Sequence, residues 1–154
     1  MKFIYRIVTT ESPIDKICQQ FQPDRWGADN KMTSYQPKLL REFLANDKNI
    51  LLFAYADSKI AGAALVYFLP HPASEDTLYV HELDVHPNFR RQGVAEGLMN
   101  EVFQISRERG CPEVWLEASS GNVPANTLYK KLAPNLIKDS VLYSWDIDLG
   151  KGEK

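Results

Sequence analysis

The sequence predicts an α/β (α+β) fold, a single domain with a mixed central sheet of about seven strands and helices on both faces. Three observations carry that prediction. The 154-residue length suits one domain able to bury a real core. Apolar runs of period two and of helical period follow one another in the order β α α β β β α β α β β. Three meander strands then lead into a β-α-β unit, so parallel and antiparallel pairs must share one sheet. The domain is read as residues 1–149, and 150–154 as a disordered tail.

Phe3–Val8 is short and rich in β-formers, an edge strand. Ser12-Pro13-x-Asp15 starts a helix from Pro13 to about Phe21, with Ile14, Ile17, Cys18 and Phe21 on one face. Gln22–Gln36 holds Pro23, Gly27, Asp29 and Asn30 and is a loop; its Trp26, Met32 and Tyr35 suit either a substrate-facing wall or packing beneath the loop. Pro37–Ala45 is a second helix with Leu39, Leu40, Phe43 and Leu44 as its apolar face. Asn49–Ala56 and Ile60–Leu69 are β-runs at hairpin spacing across Asp57-Ser58-Lys59. The proline-broken Pro70–Asp76 leads into a central strand, Leu78–Val85. A helix from about Gly93 sets Val94, Leu98, Val102 and Ile105 in a core stripe, and Gly110 and Pro112 end it. Glu113–Ala118 is a strand, and Asn122 caps a last helix with Pro124 in its first turn. Leu136–Lys138 and Val141–Asp148 finish the chain as a hairpin.

Composition narrows the function classes. Apolar residues at 44% and charged at 25% are ordinary for a globular protein. A net charge of −2 argues against a nucleic-acid partner, whose binder would carry a basic face. No apolar run reaches membrane-spanning length, and the N-terminus is too short and polar for a signal peptide. Cys18 and Cys111 are isolated, with no metal spacing, and read as reduced thiols rather than a disulfide; the chain is read as cytoplasmic. No trio of His, Cys, Asp or Glu has ligand spacing, so no metal is expected.

The chemistry gathers at His86–Leu98, HPNFRRQGVAEGL. A helix start offers unpaired backbone N–H groups and the positive end of the dipole. Gly93 admits a close ligand, and Arg90 and Arg91 add charge for phosphate. The stretch is an anion site, but neither a Walker loop nor a dinucleotide fingerprint.

Arg90-x-x-Gly93-x-Ala95, with Leu83-x-Val85-x-Pro87 before it and Leu98 after it, resembles the signature of the GNAT (Gcn5-related) acetyltransferases. Asn122-x-x-Ala125-x-x-Leu128-Tyr129-Lys130-Lys131-Leu132 resembles that family's second motif at the expected separation. The resemblance spans roughly Leu51 to Ile147. It implies the GNAT fold, with splayed central parallel strands, and acetyl-CoA as co-substrate. Pyrophosphate donors would be the backbone N–H groups of Arg91, Gln92, Gly93, Val94, Ala95 and Glu96, beside Arg90. The pantetheine arm would pair along Leu83, Asp84 and Val85, with Asn122 reaching the same arm.

Acetyl transfer to an amine requires that the ammonium lose a proton, the oxyanion be stabilised and the departing thiolate be neutralised. Tyr129 stands where the family has the tyrosine that protonates the sulfur, and the oxyanion donor would be a backbone N–H near Leu83. Glu82 stands where several members carry a base. Alternation sets Tyr79, His81, Leu83 and Val85 against Glu82 and Asp84, and a bulge would switch that register, so Glu82, Asp84 and His81 all stay candidates.

Gly62-Ala63, Tyr67-x-Leu69-Pro70, Glu82-Leu83, Arg90-Arg91-Gln92-Gly93 and Asp146-Ile147-Asp148 are similar to the aminoglycoside 3-N-acetyltransferase branch. Ser119-Ser120-Gly121-Asn122 replaces that branch's acid-rich loop, and Leu132-Ala133-Pro134 its Leu-Gly-Phe. The acceptor is therefore read as a small-molecule cationic amine, aminoglycoside-like or polyamine-like, met by Tyr35, Glu82 and Asp84, with Glu75, Asp76 and Glu117 nearby. A non-catalytic acyl-CoA-binding module and a protein or peptide amine acetyltransferase are the alternatives. The resemblance also implies a homodimer, though no residues mark an interface.

Overall fold

The computed structural model describes residues 1–21 and 34–150. Trp26 and Met32, which suit either a substrate wall or packing beneath the loop, and residues 151–154 of the tail expected to be disordered from 150 lie outside the described residues. Nine elements follow in the order β1 (Ile4–Ile7), α1 (Ile14–Gln20), α2 (Pro37–Leu44), β2 (Asn49–Ala56), β3 (Lys59–Leu69), β4 (Thr77–Val85), α3 (Val94–Arg109), β5 (Glu113–Trp115) and α4 (Val123–Lys131). A short 3-10 turn, Pro87–Phe89, joins β4 to the loop before α3.

The strands form one mixed sheet in the order β1-β2-β3-β4-β5. β1 to β4 pair antiparallel, and β5 joins β4 in parallel. Each face carries its own core. Val94, Leu98, Val102 and Ile105 of α3 are buried against Leu52, Ala64, Leu78 and Val80, so the expected stripe is the face that packs. On the opposite face Ile14, Ile17 and Phe21 of the α1 segment and Leu40 of α2 cover Leu51, Phe53 and Ala63. Cys18 is only partly buried there. Leu39, expected in the apolar face of α2, is 60% exposed instead.

The sheet has five strands among the described residues, not about seven. β5 stops at Trp115 rather than Ala118. The terminal hairpin does not form: residues 136–149 run without a turn, a bend or a ladder partner. By contrast, the β2–β3 turn is made because Asp57 adopts φ 54. No helix is long and apolar enough to cross a membrane among the described residues.

Gly62 on β3 lets α3 lie close on the sheet, as Gly97 on α3 does against Tyr5 of β1. A Cβ added to Gly62 would stand 2.7 Å from Val94 Cγ1 and 3.0 Å from the Asp84 carbonyl oxygen. The second contact is backbone and cannot swing away. Gly62→Val is therefore expected to cost about 1–3 kcal/mol by overpacking. A lower urea midpoint with unchanged slope would show it, and an unchanged midpoint would mean the sheet yields more easily than this packing allows.

Candidate active site

The site begins with a bulge. Leu65 pairs with Glu82 and Val66 with Val80, leaving His81 unpaired in β4. Before the bulge Leu78 and Val80 face α3; after it Leu83 and Val85 do. The extra residue shifts the alternation, so His81, Glu82 and Asp84 all leave the α3 core for the other side. His81 Nε2 lies 3.8 Å from Glu82 Oε1.

On that side a cleft of about 420 Å³ is lined by Tyr35, Leu39, Leu40 and Phe43 from the α2 region, Leu51, Leu65 and Tyr67 from the sheet, and His81 and Glu82. Tyr67 meets His81 at 5.6 Å between ring centroids, and Phe43 meets Tyr67 edge-on at 6.0 Å. Sequence reasoning placed Tyr35 and Glu82 here but missed the α2 and β3 contribution. Its signal was present: Leu65 and Tyr67 are two apart on β3 and so share a face. Asp84, expected to meet the acceptor, lies on the same side of β4 but does not line the cleft, and neither do Glu75, Asp76 and Glu117. Asp76 instead accepts from the His71 N–H at 3.1 Å in its own loop.

Burial dominates the electrostatics. It raises the Glu82 carboxyl above the usual carboxylate range; His81 opposes that shift and Asp84 adds to it. Asp84 is likewise raised by burial, against a lowering pull from Arg90. Burial, then Glu82 and Asp84, drive the Tyr35 phenol far above its ordinary value. Tyr129 is raised by burial and then by Asp84. Thus Asp84 is an electrostatic neighbour of both Tyr35 and Tyr129, one on each side of the β4 segment that follows the bulge.

The second half of the site is the gap between β4 and β5. Their pairing covers Thr77–Tyr79 against Glu113–Trp115 and then stops. From Val80 to Val85 the β5-facing edge of β4 has no strand beside it among the described residues, because β5 ends at Trp115. The open edge leads to the glycine turn. Arg91 has φ 61 and Gly93 φ 83, and an added Cβ at Gly93 would meet nothing within 4 Å. The space beside Gly93 is open, and the first N–H groups of α3 stand at the positive end of a 16-residue helix with no side-chain cap at Gly93. Arg90 Nε donates to the Val85 carbonyl at 3.2 Å, and Gln92 Nε2 to the Asn88 carbonyl at 3.0 Å, which brace the turn.

α4 meets the body through its last turn. Asn122 Oδ1 accepts from the Ala125 N–H at 3.2 Å, so Asn122 is the N-cap. Lys131 Nζ meets Glu96 Oε2 at 2.6 Å, tying the end of α4 to the start of α3, and Tyr129 packs partly buried on the α3-side core, near Asp84. An extended amide-bearing arm fits the open β4 edge, and an anion fits the α3 start. Among the described residues no group of three or more His, Cys, Asp or Glu is placed to hold a metal.

Comparison with known proteins matches this geometry. The family model for the acetyltransferase (GNAT) family matches residues 14–133. Streptothricin acetyltransferase of Streptomyces lavendulae is 28% identical over 130 residues, 84% of this chain and 61% of that protein. Acetyltransferase ECA0875 of Pectobacterium atrosepticum is 29% identical over 89 residues, 58% of this chain and 60% of that protein. The chain thus spans about three fifths of the length of these curated relatives. Among solved structures, aminoglycoside acetyltransferase meta-AAC0020 from an uncultured soil metagenomic sample superposes with TM-score 0.83 at 20% identity, over 95% of this chain and 97% of that one. AAC(6')-Iy in complex with a bisubstrate analogue, CoA-S-monomethyl-acetylneamine, gives 0.74 at 18% identity, over 96% and 100%.

Proposed function

The chain belongs to the acetyltransferase (GNAT) family, and we propose that it moves the acetyl group of acetyl-CoA directly to a primary amine of a small cationic acceptor, aminoglycoside-like or polyamine-like, within a ternary complex. The observation that carries this reading is the β4 bulge. It turns Glu82 into the cleft on one side while the next residues of the same strand border the open edge on the other.

In this reading the α3 start, Arg91 to Glu96 with Arg90 beside it, holds the pyrophosphate, and Leu83 to Val85 and Asn122 hold the pantetheine arm. Acetyl-CoA supplies an acyl carbon already activated by a thioester. Glu82 takes the proton from the incoming ammonium, directly or through a water, and its raised pKa suits a base working near neutrality. A backbone N–H near Leu83 donates to the oxyanion. Tyr129 gives a hydrogen bond or proton to the departing sulfur; with its phenol raised, it stays neutral and able to donate. The new bond joins amine nitrogen to acyl carbon, and the carbon–sulfur bond breaks.

Tyr35, Glu82 and Asp84 meet the acceptor, and aromatic faces from Tyr35, Phe43 and Tyr67 favour a cation beside them. The names of the relatives, a streptothricin and several aminoglycoside acetyltransferases, support a small-molecule amine. A chain that only bound acyl-CoA would need neither a carboxylate in the cleft nor Tyr129. The free thiols of Cys18 and Cys111 suit the cytoplasm, where we place the reaction.

The test is thiol release from acetyl-CoA against aminoglycosides, streptothricin-like amines, polyamines, amino acids and lysine peptides. Turnover confined to small cationic amines is the expected result. Turnover confined to peptides would replace the acceptor class. Tight acetyl-CoA binding with no turnover on any amine would favour the binding-module reading.

A further inference from the structure

The open face of the sheet does not end at the cleft. Tyr67 on β3 pairs with Tyr79 on β4, and Tyr79 pairs with Trp115 on β5, so three aromatic residues stand side by side across three strands. Their chain neighbours settle which face they share. Leu78, Val80, Val114 and Leu116 pack on the α3 side, so alternation turns Tyr79 and Trp115 onto the face where Tyr67 lines the cleft. His81 completes the row. Between ring centroids Tyr79 lies 4.4 Å from Trp115 and 5.7 Å from His81, and His81 lies 5.6 Å from Tyr67. Trp115 Nε1 donates to Thr77 Oγ1 at 3.2 Å, which holds the indole in place, yet the residue is 38% exposed. Neither hydrophobic core includes Tyr79, His81 or Trp115.

The transfer chemistry uses neither Tyr79 nor Trp115, but the row has the make-up of a ligand platform. Flat aromatic faces attract the apolar faces of rings, and cations above them. The surrounding charge agrees. Glu113 and Glu117 stand two residues either side of Trp115, and Glu117, after burial, raises the Tyr79 phenol, so its carboxylate lies near that ring. Glu117 takes a hydrogen bond from Ser140 Oγ at 3.4 Å, and neither glutamate has a cationic partner among the described residues. Tyr79 is three residues before Glu82 on β4, roughly 10 Å at the usual rise of a strand, and Trp115 is one strand further, about 4.8 Å. We propose that this row is a second acceptor subsite, continuous with the cleft, on which the distal ring of a multi-ring amine stacks while Glu82 receives the reacting nitrogen. The inference rests on the acetyl-transfer reading above and narrows its acceptor. Substituents on a single six-membered ring do not span that distance. A linear polyamine does, but it must be ordered bond by bond along the row and offers no ring face to it. An amine on the distal ring meets Glu117.

Three probes separate the possibilities: neamine, with two amine-bearing rings, 2-deoxystreptamine, with one, and spermidine, with none. Kd is read by calorimetry with CoA present, so that binding does not depend on turnover, and KM and kcat are read beside it. Trp115→Leu keeps an apolar side chain, and circular dichroism checks that it folds. It should raise Kd and KM for neamine by about 3–30-fold, the range of a lost cation–π or stacking contact. Its kcat, and its constants for the other two amines, should stay at the wild-type values. Glu117→Gln should weaken neamine in the same direction, by an amount that shrinks as salt is added. The subsite is overturned if the wild type binds neamine no more tightly than 2-deoxystreptamine. Equal losses for all three amines in Trp115→Leu also overturn it, since Trp115 then only supports the cleft. Failure of the transfer reading looks different: neamine binds and Trp115→Leu weakens it, yet no amine releases thiol from acetyl-CoA.

Discussion

Tyr129→Phe is expected to lower kcat by about 10²–10⁴-fold, the usual span for loss of a positioned proton donor, while KM for acetyl-CoA changes little. The substitution keeps the ring that packs against the core around α3 and removes only the hydroxyl. Stability should stay near wild type, which separates this change from a packing defect. The phenol's raised pKa has a consequence for pH dependence. Tyr129 remains protonated through neutral and mildly alkaline conditions, so the alkaline limb of the wild-type profile should not set in at the ordinary tyrosine value. Steady-state kinetics beside thermal melts decide the matter. An unchanged kcat would make Tyr129 a core-filling tyrosine and move the sulfur's proton to water.

Glu82→Gln should separate activity from stability in the opposite direction. Loss of the base is expected to reduce kcat/KM by about 10²–10⁴-fold. The apo protein, however, should melt higher at neutral pH. Glu82 has a folded-state pKa above its unfolded value, because burial penalises the charged form. Below the unfolded pKa both states are protonated and there is no penalty. As pH rises through the folded pKa, the folded state must ionise a half-buried carboxyl, and stability is lost. Glutamine avoids that loss, so the difference in melting temperature between wild type and variant should appear at neutral pH and vanish in acid. The acid limb of wild-type kcat/KM should likewise sit above the ordinary carboxylate range. If the variant melts lower at neutral pH, Glu82 is held by partners rather than strained by burial. If its rate is intact, Asp84 or His81 takes the proton.

The opposite signs have one cause. A carboxyl kept in a cleft with Tyr35, Tyr67 and His81 is a poor choice for the fold and a good one for accepting a proton.

Much of this was legible in the residues alone. The period of Val94, Leu98, Val102 and Ile105 determined which face of α3 is buried, since helical geometry leaves no other face to those side chains. Gly93 and Asn122 marked the starts of α3 and α4 because turn and cap chemistry is local. The strand order through β5 followed from short connections and the β-α-β unit. Tertiary structure decided what depends on distant partners. The bulge at His81 arises from pairing with β3, more than a dozen residues away, and it alone determines that Glu82 and Asp84 share the cleft side with His81. The wall of Leu39, Phe43 and Tyr67 forms only when α2 settles beside β3. The last strand shows the difference most plainly. Alternation from Val141 to Asp148 predicted a strand, but a strand is completed by its neighbour, and periodicity within one segment does not supply that neighbour.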